Sequence, residues 1–146
     1  MDTTKTAAAR EYLEQACRLE EQLNSKLAQL EELNSLATKT TSTLSGLPHG
    51  TNRTHSRLED VIVKIVGMQE EINADIDRMI DLRIEIQAKI AALGNPGHRV
   101  ILERRYLCGD RWEEIAQEMN LTTRYILRLH REALAEMEKL LAGKAA

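Results

Sequence analysis

The stretch WEEIAQEMNLTTRYILRL, Trp112 to Leu129, decides the architecture of this chain, because it meets a different physical requirement at each of several fixed positions. Ile115, Met119, Leu121, Ile126 and Leu129 recur at helical spacing and supply an apolar plug between two helical runs. Ala116 stands where the first run must approach the second closely, and nothing larger than a methyl suits that crossing. Asn120 occupies the turn, at a position that needs a left-handed backbone, which glycine prefers and asparagine tolerates. Thr122 follows as the N-cap of the second run. The spacing predicts a helix-turn-helix whose last helix covers residues 123 to 141.

The outer side of that helix is the candidate binding face. Arg124, Arg128 and Arg131 recur at i, i+4 and i+7, so they share one side, opposite Ile126, Leu129 and Ala133. Thr123, Tyr125 and Leu127 lie on or beside it. One cationic helix face suits the major groove of duplex DNA, where a guanidinium bonds guanine bidentately and residues further along meet phosphates. The candidate DNA-binding residues are therefore Thr122, Thr123, Arg124, Tyr125, Arg128 and Arg131, with His130 expected near the phosphates. The competing reading has the arginines solvate an exposed helix and pair with Glu118, Glu132 or Glu136. The helix-turn-helix spacing around them weighs toward binding.

Upstream, Gly97 to Leu107 reads as a further helix with Val100, Ile101, Leu102, Tyr106 and Leu107 as packing residues. A break at Cys108-Gly109-Asp110 follows, with Asp110 expected to cap the next helix, Glu113 to complete the capping pair, and Cys108 to be a small buried filler. Gly94-Asn95-Pro96-Gly97 is the clearest boundary, because Gly or Asn can take a left-handed cap and Pro cannot continue a helix. It divides the chain into residues 1–94 and 95–146.

The N-terminal part carries two long amphipathic patterns. The first, about Thr6 to Thr38, has its stripe at Tyr12, Ala16, Leu19, Leu23, Leu27, Leu30, Leu33 and Ala37. The second, about Arg57 to Leu93, carries Leu58, Val61, Ile62, Ile65, Met68, Ile72, Ile76, Met79, Arg83, Ile86, Ile90 and Leu93. Asp75, Asp77 and Asp81 alternate with Arg78 and Arg83 and read as a solvated face. Between the helices, residues 39–56 collect Thr, Ser, Gly and Pro and read as a loop. Two successive amphipathic helices fold into an antiparallel, coiled-coil-like hairpin, and its uncovered flanks predict self-association into a homo-oligomer or the binding of a partner. The expected fold is all-α: a long helical hairpin followed by a three-helix helix-turn-helix domain.

Composition agrees. The 146 residues include no Phe, one Trp, three Tyr and two Pro, and helix formers fill most positions. The net charge of −3 splits into −4 up to Gly94 (11 basic, 15 acidic) and +1 from Asn95 onward (9 basic, 8 acidic). The basic excess is small and C-terminal, which argues against a surface that coats nucleic acid throughout. Cys17 and Cys108 form no CxxC pair and have no His at metal-ligand spacing, so no metal site is expected. His49, His55, His98 and His130 are scattered, read as surface or loop residues, and no nucleophile pairing or phosphate-binding Gly loop occurs. A non-enzyme without a cofactor is the expectation. No signal-peptide core or membrane-length apolar run is present, which predicts a cytoplasmic, nucleoid-associated protein with no membrane partner.

The stretch from Ile101 to Leu134, with ERRY, then G-x-x-WEEIA-x-x-M-x-LT, then RYILRLHREAL, resembles the fourth conserved region of the major bacterial sigma factors. That region reads the promoter's −35 element in the major groove and docks on the flap of the RNA polymerase β subunit. The resemblance implies base contacts by Thr123, Arg124 and Arg128, with double-stranded DNA and RNA polymerase as partners. It covers the last third of the chain, and no counterpart of the second conserved region of sigma factors is present. Asn120 replaces the usual Gly, and Trp112 a smaller aliphatic. The whole layout is similar to small phage or prophage proteins, including late-transcription regulators of the ArpU type. The expected function is a phage-type transcriptional regulator. The alternatives are an interaction protein gripping RNA polymerase or a sigma factor, and a DNA-packaging recognition subunit with ring-like oligomers.

Overall fold

The computed structural model describes residues 5–46 and 52–145, and these are all-α. In chain order the elements are α1 (Ala7–Gly46), α2 (Asn52–Ala91), α3 (Pro96–Leu102), a wider π turn that continues it (Glu103–Leu107), α4 (Trp112–Met119) and α5 (Thr123–Ala145). Two compact units are formed, one by Met1–Leu19 with Met79–Ala146 and the other by Glu20–Arg78.

In the unit Glu20–Arg78, α1 and α2 pair antiparallel around buried Leu23 and Ile72. The Lys26 ammonium reaches across to Asp75 at 2.7 Å, and Arg78 adds a second bond to the same carboxylate at 2.6 Å. Asp77 and Asp81 are exposed as expected, but Asp75 is only 2% exposed, which corrects its placement on the solvated face. It stands three residues after Ile72, on the side of α2 that meets α1, where a carboxylate persists only with a partner. The hydrogen bond from Lys26 holds that carboxyl below the usual carboxylate range.

The described part of the Thr/Ser-rich run is helical, which corrects its reading as a loop. Helix continues through Gly46 and resumes at Asn52, so of residues 39–56 only 47–51 lie outside the described ones. Thr38 and Thr40 show how α1 tolerates this composition: their hydroxyls donate to the carbonyls of Asn34 (3.0 Å) and Leu36 (2.9 Å), one turn back, instead of competing for the helical ladder.

The larger unit has a core built from four segments: Ala9, Leu13 and Ala16 of α1, Ile86 and Ile90 of α2 with Leu93 just after it, Leu102 and Tyr106, and Ala133, Leu134 and Met137 of α5. The turn at Gly94 to Gly97 therefore separates helices without separating cores. Asn95 there is extended rather than left-handed, and its side chain caps α3 by accepting from the backbone N–H of Gly97 (2.9 Å) and His98 (3.4 Å). Pro96 takes the first helical position, where no N–H is needed. Glu136 of α5 ties this turn down, accepting from Gly94 N–H at 2.8 Å and lying 2.7 Å from His98 Nδ1. The hydrogen bond from His98 keeps the Glu136 carboxyl below its ordinary range.

Three other expectations are corrected in this unit. His98 and His130 are buried rather than on the surface, because each supplies a polar atom to a partner inside the fold. Val100 points outward at 38% exposure, since Ile101 and Leu102 take the inward positions of α3. Cys108 is exposed, because the π turn ends there, with Cys108 N–H donating to Glu103 O at 3.0 Å, and the chain then turns at left-handed Gly109 (φ 73°).

Candidate nucleic-acid interface

The candidate surface is assembled from α4, a tight turn and α5. The helix α4 begins one residue later than expected: the Glu114 carboxylate accepts from the Arg111 N–H at 2.8 Å, while Asp110 is engaged by Arg104 at 3.2 Å and is not free to cap. The bond from Arg111 lowers the Glu114 carboxyl below its usual range.

The turn has the predicted form. Asn120 is the one non-glycine described residue with positive φ (φ 57°, ψ 41°), and Leu121 N–H donates back to Ala116 O at 2.9 Å, closing the left-handed helix end. Ile101, Ile115, Ala116 and Ile126 are buried together, with Trp112, Met119, Leu121 and Leu129 packed around them. Full burial of Ile115 and of Ile126 contributes roughly 2 kcal/mol apiece. Thr122 Oγ1 accepts from Tyr125 N–H at 3.1 Å and so caps α5.

A second, polar cluster braces α5 from behind. Tyr106 Oη lies 2.7 Å from His130 Nε2, Trp112 meets the same imidazole edge-on with centroids 4.5 Å apart, and the Arg105 guanidinium covers the Trp112 ring at 4.3 Å. Burial, with Arg10 and Arg105 nearby, pushes the His130 imidazole down to about 4, and burial raises the Tyr106 phenol to about 12. His130 is thus a neutral structural group, which corrects its placement beside phosphates: it sits on the inner side of α5, four residues after Ile126.

Of the candidate residues, Arg124, Tyr125, Arg128 and Arg131 are exposed, Thr122 is exposed with its hydroxyl engaged in the cap, and Thr123 is half-buried. Arg128 has Glu132 at 3.3 Å, an exposed pair that holds it weakly. Arg124 and Arg131 make no ion pair among the described residues. Glu118 and Glu136, the other expected partners for these arginines, are taken instead by Arg104 (3.5 Å) and by His98 with Gly94. The face thus presents three guanidiniums with little internal neutralisation.

The sequence reading missed Arg105 and Arg111. Arg111 stands exposed at the start of α4, paired with Glu114 at 3.5 Å, and Arg105 is immobilised on Trp112. An Arg seven residues before a lone Trp was the available signal for the stack, but a seven-residue spacing does not survive the π turn and the Gly109 break as a helical face.

No helix among the described residues is long and apolar enough to cross a membrane. No curated protein and no solved structure matches the chain. A family model does match residues 47–138, more than half of the chain, from α2 into α5. The chain belongs to the family described as Protein of unknown function (DUF1492).

Proposed function

We propose that this chain is a phage-type transcriptional regulator that reads duplex DNA in the major groove with α5. One observation carries the reading: Arg124, Arg128 and Arg131 line the exposed side of a helix delivered by a tight left-handed turn. That geometry suits groove insertion, because the fold rigidly positions α5 while its cations face outward. The likeness of residues 101 to 134 to the fourth conserved region of sigma factors supports the same reading, with Thr122, Thr123, Arg124, Tyr125, Arg128 and Arg131 as contacts. Three arginines on one helix give limited phosphate neutralisation, so the antiparallel helices are read as a dimerisation element that brings two copies to two half-sites.

The test is selection of full-length protein on a pool of random duplex DNA, sequencing of the retained fraction, and salt titration of the enriched sequence. An enriched palindrome or direct repeat whose affinity falls steeply with salt supports an autonomous regulator. No enrichment at low salt overturns it. The net charge of only +1 from Asn95 onward favours a second reading in that case, in which the domain grips RNA polymerase and meets DNA inside that complex; pull-down of purified polymerase tests it.

A further inference from the structure

The cationic side of α5 carries an apolar residue. Leu127 is 40% exposed at the edge of that side, about 20° around the helix from fully buried Leu134, with Ile126, Ala133 and Met137 buried on the far side. At about 100° per residue, Leu127 lies about 60° around the helix from Arg124 and about 40° from Arg131, beside half-buried Thr123. Tyr125, 44% exposed, flanks the opposite edge of the arginine stripe. A leucine in this position has its isobutyl group in water unless the surface that neutralises the arginines also offers it an apolar contact.

Charge complementarity names that surface. A face with Arg124 and Arg131 unpaired and Arg128 weakly paired matches a polyanion, and the major groove of duplex DNA presents one apolar group among its base edges, the C5-methyl of thymine. We infer that Leu127 is a specificity-determining residue that packs against a thymine C5-methyl at the edge of the arginine contacts. The inference rests on the reading of α5 as a major-groove helix and adds the base it selects. Leucine has no hydrogen-bonding group, so it selects a base edge only through an apolar contact, which is what the thymine methyl offers.

The experiment uses full-length protein and the duplex enriched from the random pool, synthesised with thymine or with deoxyuridine at each thymine position in turn. Deoxyuridine keeps every hydrogen-bonding group and removes only the methyl. Loss of one buried methyl contact weakens wild-type binding about three- to fivefold at one position per half-site. Leu127→Ala binds the thymine duplex more weakly by a similar factor, loses the deoxyuridine effect, and melts as wild type does because Leu127 is outside the core. Tyr125→Ala keeps the deoxyuridine effect. Retained binding with no deoxyuridine effect in wild type overturns this inference alone, as does an effect that persists in Leu127→Ala or an enriched site without thymine. Failure to retain any duplex overturns it together with the regulator reading.

Discussion

Tyr106 Oη and His130 Nε2 are 2.7 Å apart in the interior, so the helix that presents the arginines is joined to the π turn before the helix-turn-helix by one buried hydrogen bond. Its energetics depend on the ring staying neutral. Burial lowers the His130 pKa to about 4 from an unfolded value near 6.5, so the unfolded chain binds the proton first as pH falls. The stability from this group is complete above about pH 6.5 and is lost as pH drops toward 4. Between pH 7 and pH 5 the expected loss is about 2 kcal/mol, read from urea unfolding. His130→Gln should show a shallower pH dependence over that window, and equal slopes in the two proteins would refute the assignment.

Asn120 tests the turn. Its left-handed backbone costs a β-carbon-bearing residue about 1 kcal/mol or more, a strain asparagine relieves in part and glycine does not incur. Asn120→Gly is expected to melt at or above the wild-type temperature, and Asn120→Ala to lose about 1 kcal/mol. A thermal melt of both variants decides it, and an unchanged Asn120→Ala would argue against a strained turn.

The two sides of α5 should separate stability from binding. Arg124→Ala and Arg128→Ala are expected to weaken specific DNA binding roughly tenfold each while leaving the melting transition in place. Ile126→Asp places an unpaired charge in a fully buried site and should cost more than about 3 kcal/mol, enough to unfold the C-terminal helices. Circular dichroism reads both classes. A normal melt for Ile126→Asp would remove Ile126 from the core.

Asp75 links α2 to α1 through Lys26. Asp75→Ala leaves the Lys26 ammonium without its nearest partner and is expected to lower the urea midpoint, whereas Asp75→Leu, which substitutes packing for the ion pair, should lower it less. The lowered carboxyl pKa gives the same contact an acid dependence: its stabilisation is present above the ordinary aspartate range and is lost as pH falls through that range toward the folded value. Identical midpoints for Asp75→Ala and wild type would show the pair to be energetically idle.

The sequence by itself determined what depends on local spacing. The five apolar positions from Ile115 to Leu129, Ala116 at the crossing, Asn120 in the left-handed turn, Thr122 at the cap and the i, i+4, i+7 arginines each follow from short-range helical geometry, and the structure has them in that form. Tertiary structure decided what depends on distant segments. Whether Asp75 faces water or Lys26 turns on α1, 49 residues away in the chain. His98 and His130 are buried because Glu136 and Tyr106 arrive from other helices, and a histidine's own neighbours carry no sign of that. Gly94 to Gly97 is a break in sequence but not in packing, since Ala9, Leu13 and Ala16 return from the first turns of α1 to complete a core with α5. Local geometry acts within a turn or two and is written in consecutive residues; burial is a sum over every segment that arrives, and only the folded chain performs that sum.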